Sequence, residues 1–343
     1  MSYTVTLKKS GRQFQAEADE SILAAALRQG VGLPYGCKNG ACSSCKAEIV
    51  AGEVDQGPHA ASALANDEKT RGFALLCCAN ARSDVEIDVR EVNGVGDVPV
   101  KKLPCRVSEL VRASDDAMIV RLQLPANERL QFLAGQYLEF ILKDGKRRAY
   151  SIASSPHADG PLELHIRHLP GGVFTDHVFG AMKPRDILRF EGPLGTFFLR
   201  EDTDKPVVLL CSGTGFAPIK AIVEHMIFKE IRRPVTLYWG GRRKRDLYLA
   251  EAAQRWAAEH AHIRFVPVLS EPDADDGWTG RTGFVHRAVI EDLPDLAGYE
   301  VYACGAPVMV ESAQRDFTAH HGLPADAFFA DAFTSAADLA NPI

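Results

Sequence analysis

The sequence predicts a multidomain protein of the α+β and α/β classes, in which a small α+β domain and an antiparallel barrel precede a doubly wound parallel sheet. A chain of 343 residues is longer than one ordinary domain, because domains usually contain about 100 to 200 residues. Short strand-like runs separated by turns fill the middle of the chain, and apolar strands alternate with helical segments from residue 206 onward. We therefore place three domains at residues 1–97, 98–203 and 204–343.

The composition indicates a packed globular protein, with 46% hydrophobic and 24% charged residues. The formal net charge of -6 gives no electrostatic reason to bind nucleic acid. The first residues alternate apolar and polar and lack the apolar core of a secretory signal. No apolar run approaches the roughly 18 residues that cross a bilayer. We expect a cytoplasmic protein with neither nucleic acid nor a membrane as partner.

The N-terminal segment has the pattern of a hairpin followed by a helix. Two alternating runs between Tyr3 and Ala18 flank a Ser-Gly turn, and Ser21–Gln29 reads as a short helix. A further alternating run, Val85–Val89, predicts a strand that closes this domain. The glycines and proline that follow predict a linker and a boundary near residue 98.

The cysteine spacing in the first domain predicts a metal cluster. Cys37, Cys42 and Cys45 have the spacing C-x4-C-x2-C, with another cysteine about thirty residues later, as in plant-type [2Fe-2S] sites. The alternative is a four-cysteine zinc site, which usually pairs two C-x2-C motifs. Either Cys77 or Cys78 supplies the fourth thiolate. On an extended segment their side chains point to opposite sides, so we expect only one to face the cluster.

The middle segment carries two motifs that suit a flavin nucleotide. Its strand-like runs are Cys105–Leu110, Met118–Leu124, Tyr137–Leu142 and Leu162–His168. An arginine can neutralise pyrophosphate, a tyrosine offers an aromatic face and a serine hydroxyl can bind near the reactive ring nitrogen. Glycines that lead into the N-terminus of a helix leave its backbone N–H groups accessible, so that they can bind a phosphate. The alternative for either motif is an ordinary strand edge. The residues concerned are Arg148, Tyr150, Ser151, Gly171, Gly172, Val173 and Thr175.

The last segment has the pattern of a nucleotide-binding sheet. Its predicted strands are Val207–Cys211, Val235–Trp239, Ile263–Leu269 and Tyr299–Cys304. The first strand leads into a glycine-containing loop and a helix, whose free N–H groups can bind a pyrophosphate. The loop residues are Gly213, Thr214, Gly215 and Pro218. Cys304 ends the last of these strands and Gly305 follows it, at a position where a nicotinamide could lie; the alternative for Cys304 is core packing.

These motifs in this order resemble the ferredoxin-NAD(P)+ reductase superfamily, in the branch with an N-terminal plant-type ferredoxin. The resemblance covers essentially the whole chain and implies a β-grasp ferredoxin domain, a six-stranded FAD barrel and a nicotinamide domain. It favours Cys77 as the fourth ligand, because the family pattern places that ligand seven residues before Asp84. It also implies that Phe333 stacks beside the flavin. Phrases such as LAGQY, RAYSIA and EGPLGTFF are similar to reductases that serve deoxysugar dehydrases.

The resemblance implies a relay in which electrons pass from NADH to FAD, then to a [2Fe-2S] cluster and finally to a partner protein. Ser151 and Cys304 are then the catalytic candidates. The partner is a deoxysugar dehydrase or, alternatively, an oxygenase component such as an aromatic hydroxylase. A non-catalytic electron carrier is a further alternative. Glu271 favours NADH over NADPH by repelling a 2'-phosphate, whereas the basic run 242–245 is a competing signal.

Overall fold

The computed structural model describes residues 1–94 and 98–334, which form two compact units. The first unit contains the described residues up to Pro99, and Phe333 also falls in it; the second is Val100–Ala332.

The first unit is a small mixed sheet covered by a helix. Its five-stranded sheet has the order β2-β1-β7-β3-β5, and β4 pairs with β6. Helix α1 begins after Ser21, whose hydroxyl accepts a hydrogen bond from the Ala24 N–H, and it buries four apolar side chains. The predicted hairpin, helix and closing strand are confirmed. The elements are β1 (Ser2–Leu7), β2 (Gln13–Glu17), α1 (Ile22–Arg28), β3 (Lys46–Ala51), β4 (Val54–Gln56), α2 (Asn66–Thr70), β5 (Phe73–Leu75), β6 (Ala79–Ala81) and β7 (Val85–Asp88).

The second unit begins with a six-stranded antiparallel barrel, as predicted. Its strands have the order β11-β10-β13-β8-β9-β12, and a bridge between Ile152 and Leu164 joins the two edges. Strands β8, β9, β10 and β12 match the predicted runs, whereas β11 and β13 were not predicted. The elements are β8 (Lys101–Arg112), β9 (Ala117–Gln123), β10 (Tyr137–Ile141), β11 (Arg147–Ser151), β12 (Leu162–Arg167), α3 (Val173–Gly180) and β13 (Ile187–Leu194).

A six-stranded parallel sheet completes the second unit. Its order is β17-β16-β15-β14-β18-β19, so the direction of winding reverses between β14 and β18. Ligands of open parallel sheets bind at such a reversal, beside the carboxyl ends of the strands. The elements are β14 (Val207–Ser212), α4 (Phe216–Phe228), β15 (Val235–Gly241), α5 (Ala250–Glu259), β16 (Ile263–Leu269), β17 (Arg281–Thr282), α6 (Val285–Asp292), β18 (Glu300–Gly305), α7 (Pro307–His320) and β19 (Phe328–Ala332).

Helices cover both faces of this sheet, which explains why its strands are almost wholly apolar. Leu209 and Cys211 of β14 pack in one apolar cluster, whereas Val208 and Leu210 pack in another on the opposite face. Among the described residues, no helix has the length and apolar character needed to span a bilayer.

Candidate functional site

The loop between α1 and β3 is coiled so that its backbone N–H groups face cysteine sulfur. Lys38, Gly40 and Ser43 all have positive φ, between 57° and 79°. The Ala41 N–H donates to Cys37 Sγ at 3.3 Å, and the Cys37 N–H donates to Cys42 Sγ at 3.2 Å. Successive N–H groups that converge in this way form an anion-binding concavity. The loop therefore suits a negatively charged, sulfur-bound group.

The four predicted ligands lie in two pairs. The Cys37 thiol is hydrogen-bonded to Cys42, which lowers the pKa of Cys37 to about 7, and the Cys45 thiol is hydrogen-bonded to Cys77. No three His, Cys, Asp or Glu side chains of the described residues converge as one metal ion requires. A two-iron cluster held by four cysteines takes two thiolates on each iron, whereas zinc needs four ligands around one point. The paired arrangement fits [2Fe-2S] better than zinc.

The expectation that Cys77 and Cys78 point to opposite sides is wrong. Residues 76–78 form a turn between β5 and β6, closed by a hydrogen bond from the Cys78 N–H to the Leu75 carbonyl at 2.9 Å. A turn removes the alternation that holds on an extended segment. The two sulfur atoms consequently lie 3.5 Å apart.

The predicted flavin residues of β11 lie in an aromatic corner of the barrel. The ring of Tyr150 packs against Phe174 and Phe140, with centroids 5.4 and 6.0 Å apart. Burial raises the pKa of Tyr150, so its hydroxyl stays protonated and can donate a hydrogen bond. Arg148 donates to the Arg147 carbonyl at 2.8 Å, and Ser151 is buried. The strand thus presents a ring, a cation and a hydroxyl, the chemistry that the sequence indicated.

The glycine motif before α3 forms the start of that helix. Gly171 has φ of 83°, Gly172 is the N-cap, and the helix begins at Val173. A Cβ on Gly172 would lie 2.6 Å from Thr175 Oγ1, so only glycine fits there. The Thr175 hydroxyl is buried and donates to the Leu169 carbonyl at 2.9 Å. Thr175 therefore stabilises this turn, and free helix N–H groups lie beside it.

The ends of β14 and β18 meet at the nucleotide loop. Residues Gly213–Gly215 form a single 3₁₀ turn that leads into α4, with Thr214 buried and Pro218 in the first helical turn. A Cβ on Gly215 would lie 2.5 Å from the Cys304 carbonyl oxygen. The Cys304 thiol is fully buried and donates to the Gly215 carbonyl at 2.9 Å. Cys304 therefore joins the two strand ends, and its catalytic role stays a prediction.

Gly305 completes this junction. Its φ is 122°, and a Cβ there would lie 2.6 Å from Ser212 Oγ. That hydroxyl accepts a hydrogen bond from the Ala306 N–H at 3.1 Å, immediately before α7. The backbone of the β18 end consequently lies close to the β14 end, at the reversal of winding. Phe333 directly follows β19, and its stacking on a flavin stays a prediction.

An aromatic stack packs against the nucleotide loop, residues 213–218, on the apolar side of the sheet. The rings of Phe216 and Trp239 are parallel within 3°, with centroids 3.9 Å apart, and the indole N–H donates to the Gly213 carbonyl at 3.1 Å. Tyr248 meets Trp239 edge-on at 5.4 Å. These contacts fix the loop from the apolar side of the sheet.

The barrel is tied to this stack through a buried polar chain. Tyr248 donates to His165 Nδ1 at 2.9 Å, and His165 Nε2 donates to Glu163 at 3.0 Å. Burial lowers the pKa of His165, which fits a neutral ring with this pattern of one acceptor and one donor. Burial opposes ionisation of Glu163, but hydrogen bonding to His165 and the charge of Lys220 lower its pKa to about 2. Glu163 is therefore a carboxylate that holds both neighbours.

Sequence reasoning missed Asp331 and Arg167. Asp331 lies on β19 opposite Cys304, and its carboxylate is 3.5 Å from Ser151 Oγ. Arg167 is the last residue of β12 and forms an ion pair with Asp116 at 2.9 Å. Its Nη1 atom would lie 3.5 Å from a Cβ placed on Gly213. No alternation marks the strand that carries Asp331, because only its pairing with β18 defines it. No local signal placed Arg167 beside a loop 46 positions away.

The basic run 242–245 lies against a neighbouring acidic loop. Arg243 lies 3.2 Å from Asp273 and 3.7 Å from Glu271. Lys244 donates to the Asp276 carbonyl at 3.2 Å. The Glu271 N–H donates to the Arg242 carbonyl, which brings the acidic loop against the basic one. The acidic loop therefore screens the cations that could bind a 2'-phosphate.

Comparisons with known proteins agree with this geometry. Residues 5–82 match the 2Fe-2S iron-sulfur cluster binding domain, residues 104–199 the oxidoreductase FAD-binding domain and residues 209–315 the oxidoreductase NAD-binding domain. The chain is 43% identical to CDP-6-deoxy-L-threo-D-glycero-4-hexulose-3-dehydrase reductase of Yersinia pseudotuberculosis serotype I (strain IP32953), over 97% of this chain and 99% of the relative.

Two further comparisons bear on the family. Phenol hydroxylase P5 protein of Acinetobacter pittii (strain PHEA-2) is 35% identical over 91% of this chain and 89% of its own. The crystal structure of the Amycolatopsis reductase GcoB matches with a TM-score of 0.77 at 36% identity, over 97% of this chain and 99% of its own. The chain therefore belongs to the iron-sulfur flavoprotein reductases, oxidoreductases of the ferredoxin reductase type that join [2Fe-2S]-, FAD- and NAD-binding domains in one polypeptide.

Proposed function

We propose that this protein is the NADH-dependent reductase of a dehydrase that acts on a CDP-linked 6-deoxyhexulose. The observation that carries the proposal is the 43% identity to a reductase of that dehydrase over 97% of the chain. Identity to the phenol hydroxylase protein is 35% over 91% of the chain. With either type of relative as the guide, the proposed partner is a protein that accepts one electron at a time.

The first unit supplies the exit for electrons. We assign Cys37 and Cys42 to one iron and Cys45 and Cys77 to the other, because the thiols within each pair are neighbours. The N–H groups of the loop stabilise the negative charge of the sulfur atoms. Gly36 has no side chain that could obstruct them, since a Cβ there would lie 3.2 Å from Cys42 Sγ.

In the barrel, β11 and the start of α3 are the proposed flavin residues. Arg148 balances pyrophosphate charge, Tyr150 packs along the ring system, and Ser151 offers a hydroxyl near the reactive nitrogen. When bound, FAD supplies the conversion of a two-electron hydride into two single electrons. Gly171 and Gly172 keep the backbone open, and the α3 start, with Val173 and Thr175, directs N–H groups to phosphate.

In the parallel sheet, the loop Gly213–Pro218 is the proposed binding site for the pyrophosphate of NADH. Cys304 and Gly305 line the adjoining position for the nicotinamide, and Ser151 of the barrel lies there, 3.5 Å from Asp331 of the parallel sheet. Glu271 and Asp273 neutralise Arg243, which supports a preference for NADH. We further propose domain boundaries at residues 1–97, 98–203 and 204–343, and a cytoplasmic location.

Reconstitution with candidate partners tests the proposed function. The full chain, reconstituted with iron, sulfide and FAD, is mixed with the purified Yersinia dehydrase and CDP-6-deoxy-L-threo-D-glycero-4-hexulose, and NADH oxidation and deoxygenated product are measured together. The parallel reaction contains a phenol hydroxylase oxygenase component, phenol and oxygen. Formation of deoxygenated product in a fixed ratio to the NADH oxidised supports the proposal.

A Cys37→Ser variant provides the matched control in both reactions. It is expected to retain NADH-dependent ferricyanide reduction at the flavin and to lose transfer to the partner, because the exit cluster is disrupted. Turnover with the oxygenase component but not with the dehydrase would overturn the proposal in favour of the oxygenase-reductase alternative.

A further inference from the structure

A second thiol stands directly beside the proposed cluster ligand Cys77. Cys78 Sγ lies 3.5 Å from Cys77 Sγ, within the range of a hydrogen bond between sulfur atoms. The position is fixed by two backbone bonds, from the Cys78 N–H to the Leu75 carbonyl and from the Gly57 N–H to the Cys78 carbonyl, each 2.9 Å. The turn therefore holds the Cys78 side chain on the same side as Cys77.

The direction of this hydrogen bond follows from coordination chemistry. A cysteine that binds iron does so as a thiolate and carries no proton. If Cys77 is the ligand, its sulfur can only accept, so the proton between the two sulfur atoms belongs to Cys78. An S–H group is a weak donor, but a thiolate is a charged acceptor, which strengthens the bond.

The Cys78 sulfur packs against Gly40, where a side chain would not fit. A Cβ on Gly40 would lie 2.9 Å from Cys78 Sγ and 3.0 Å from the Cβ of His59. The Gly40 N–H is also hydrogen-bonded to Cys77. The cluster loop thus touches both cysteines at this glycine, so Cys78 is in contact with the cluster environment.

We propose that Cys78 donates a hydrogen bond to the ligand sulfur of Cys77 and thereby raises the reduction potential of the [2Fe-2S] cluster. The inference rests on the proposed assignment of Cys77. Hydrogen bonds to cluster sulfur stabilise the reduced form, because reduction adds negative charge to the sulfur atoms. Cys78 is therefore a positioning and tuning residue that favours electron transfer from the flavin to the cluster.

Redox titration of three full-length holoproteins tests the proposal: the wild type, Cys78→Ala and Cys78→Ser. The cluster potential is measured by electron paramagnetic resonance, and iron is counted chemically. We expect Cys78→Ala to retain about two irons per chain and to shift the one-electron equilibrium toward the oxidised cluster by up to about tenfold, equivalent to about 59 mV. Cys78→Ser keeps a donor and should remain close to the wild type.

A second readout identifies the proton itself. Hyperfine spectroscopy in deuterated water should show one exchangeable proton, in addition to those of the loop N–H groups, in the wild type and Cys78→Ser that is absent in Cys78→Ala. A Cys78→Ala protein with unchanged iron, potential and proton coupling would overturn the tuning role while leaving the Cys77 assignment intact. Loss of the cluster in Cys78→Ala together with a normal cluster in Cys77→Ser would overturn both.

Discussion

The hydroxyl of Ser151 lies 3.5 Å from the carboxylate of Asp331, which joins the barrel strand β11 to strand β19 of the parallel sheet. Asp331 is paired in register with Cys304, so one carboxyl adjoins both residues predicted to be catalytic. Burial raises the pKa of Asp331 to about 7. The carboxyl consequently changes its protonation state near neutral pH.

Replacement of Asp331 by Asn should remove a pH dependence of flavin reduction. Below pH 7 the carboxyl is protonated and can donate to Ser151, leaving the serine hydroxyl free to donate elsewhere. Above pH 7 the carboxylate attracts that hydroxyl and opposes the negative charge brought by hydride. We therefore expect the rate of flavin reduction by NADH to fall several-fold as the pH rises through 7, and Asp331→Asn to stay fast. Stopped-flow absorbance measures both, and parallel pH profiles would contradict the prediction.

Replacement of Gly215 by Ala should weaken NADH binding without loss of either resident cofactor. The added methyl group meets the backbone of Cys304, at 2.5 Å from its carbonyl oxygen, and must push the two strand ends apart. A displacement of about 1 Å can cost about 100-fold in rate. We expect at least a tenfold rise in KM for NADH, judged by the scale of that effect. Gly298→Ala is the control, because its Cβ meets nothing within 4 Å.

Cofactor choice should depend on the acidic partners of Arg243. The wild type is expected to have the higher kcat/KM for NADH. The double replacement Glu271→Gln and Asp273→Asn frees the guanidinium, so kcat/KM for NADPH should rise about fivefold, the effect of about 1 kcal/mol from an exposed ion pair. Asp275→Asn serves as the control on the same exposed loop. A wild type that prefers NADPH would show that the basic run determines specificity.

The ion pair of Arg233 and Glu300 should be essential to the stability of the second unit. The guanidinium lies 2.7 Å from the carboxylate, and the two side chains are 5% and 6% exposed. Removal of one partner leaves a buried charge, so Arg233→Met or Glu300→Gln should cost about 3–5 kcal/mol. The double replacement with Met and Leu should recover most of that loss. Urea unfolding followed by circular dichroism measures these differences.

Arg232→Met provides the comparison for this set, because Arg232 is the exposed neighbour of Arg233. Its replacement should change stability by less than about 0.5 kcal/mol. Equal losses for Arg232→Met and Arg233→Met would indicate that general surface charge, not the buried pair, explains the result.

Local patterns in the sequence were sufficient to predict the domain classes and about half of the fold's elements. Alternating runs and strand-to-glycine transitions depend on neighbouring residues, so they identified the hairpin, the helix after Ser21 and the main parallel strands. Strand β13 was missed because Gly192 and Pro193 lie inside it and resemble a turn. Strand β19 was missed because only its pairing with β18 defines it.

The candidate site was predictable where chemistry depends on spacing and not where it depends on long-range contact. The cysteine intervals and glycine loops are local, whereas Asp331 reaches Ser151 across 180 positions. The two adjacent cysteines illustrate a different failure. Their positions in the sequence were clear, but the direction of their side chains depends on a turn. The apolar residues before them gave no local signal for that turn.

The hydrogen bond between the Trp239 indole and the Gly213 carbonyl has a consequence for the opposite side of that peptide. In a trans peptide the C=O and the following N–H point in opposite directions. Because the indole binds the Gly213 oxygen on the apolar side, the N–H of Thr214 must point away from the indole. This amide dipole is thus oriented before any phosphate arrives, so binding requires no rotation of the peptide group. An aromatic residue on the apolar side of the sheet thus determines the direction of an N–H group in the nucleotide loop.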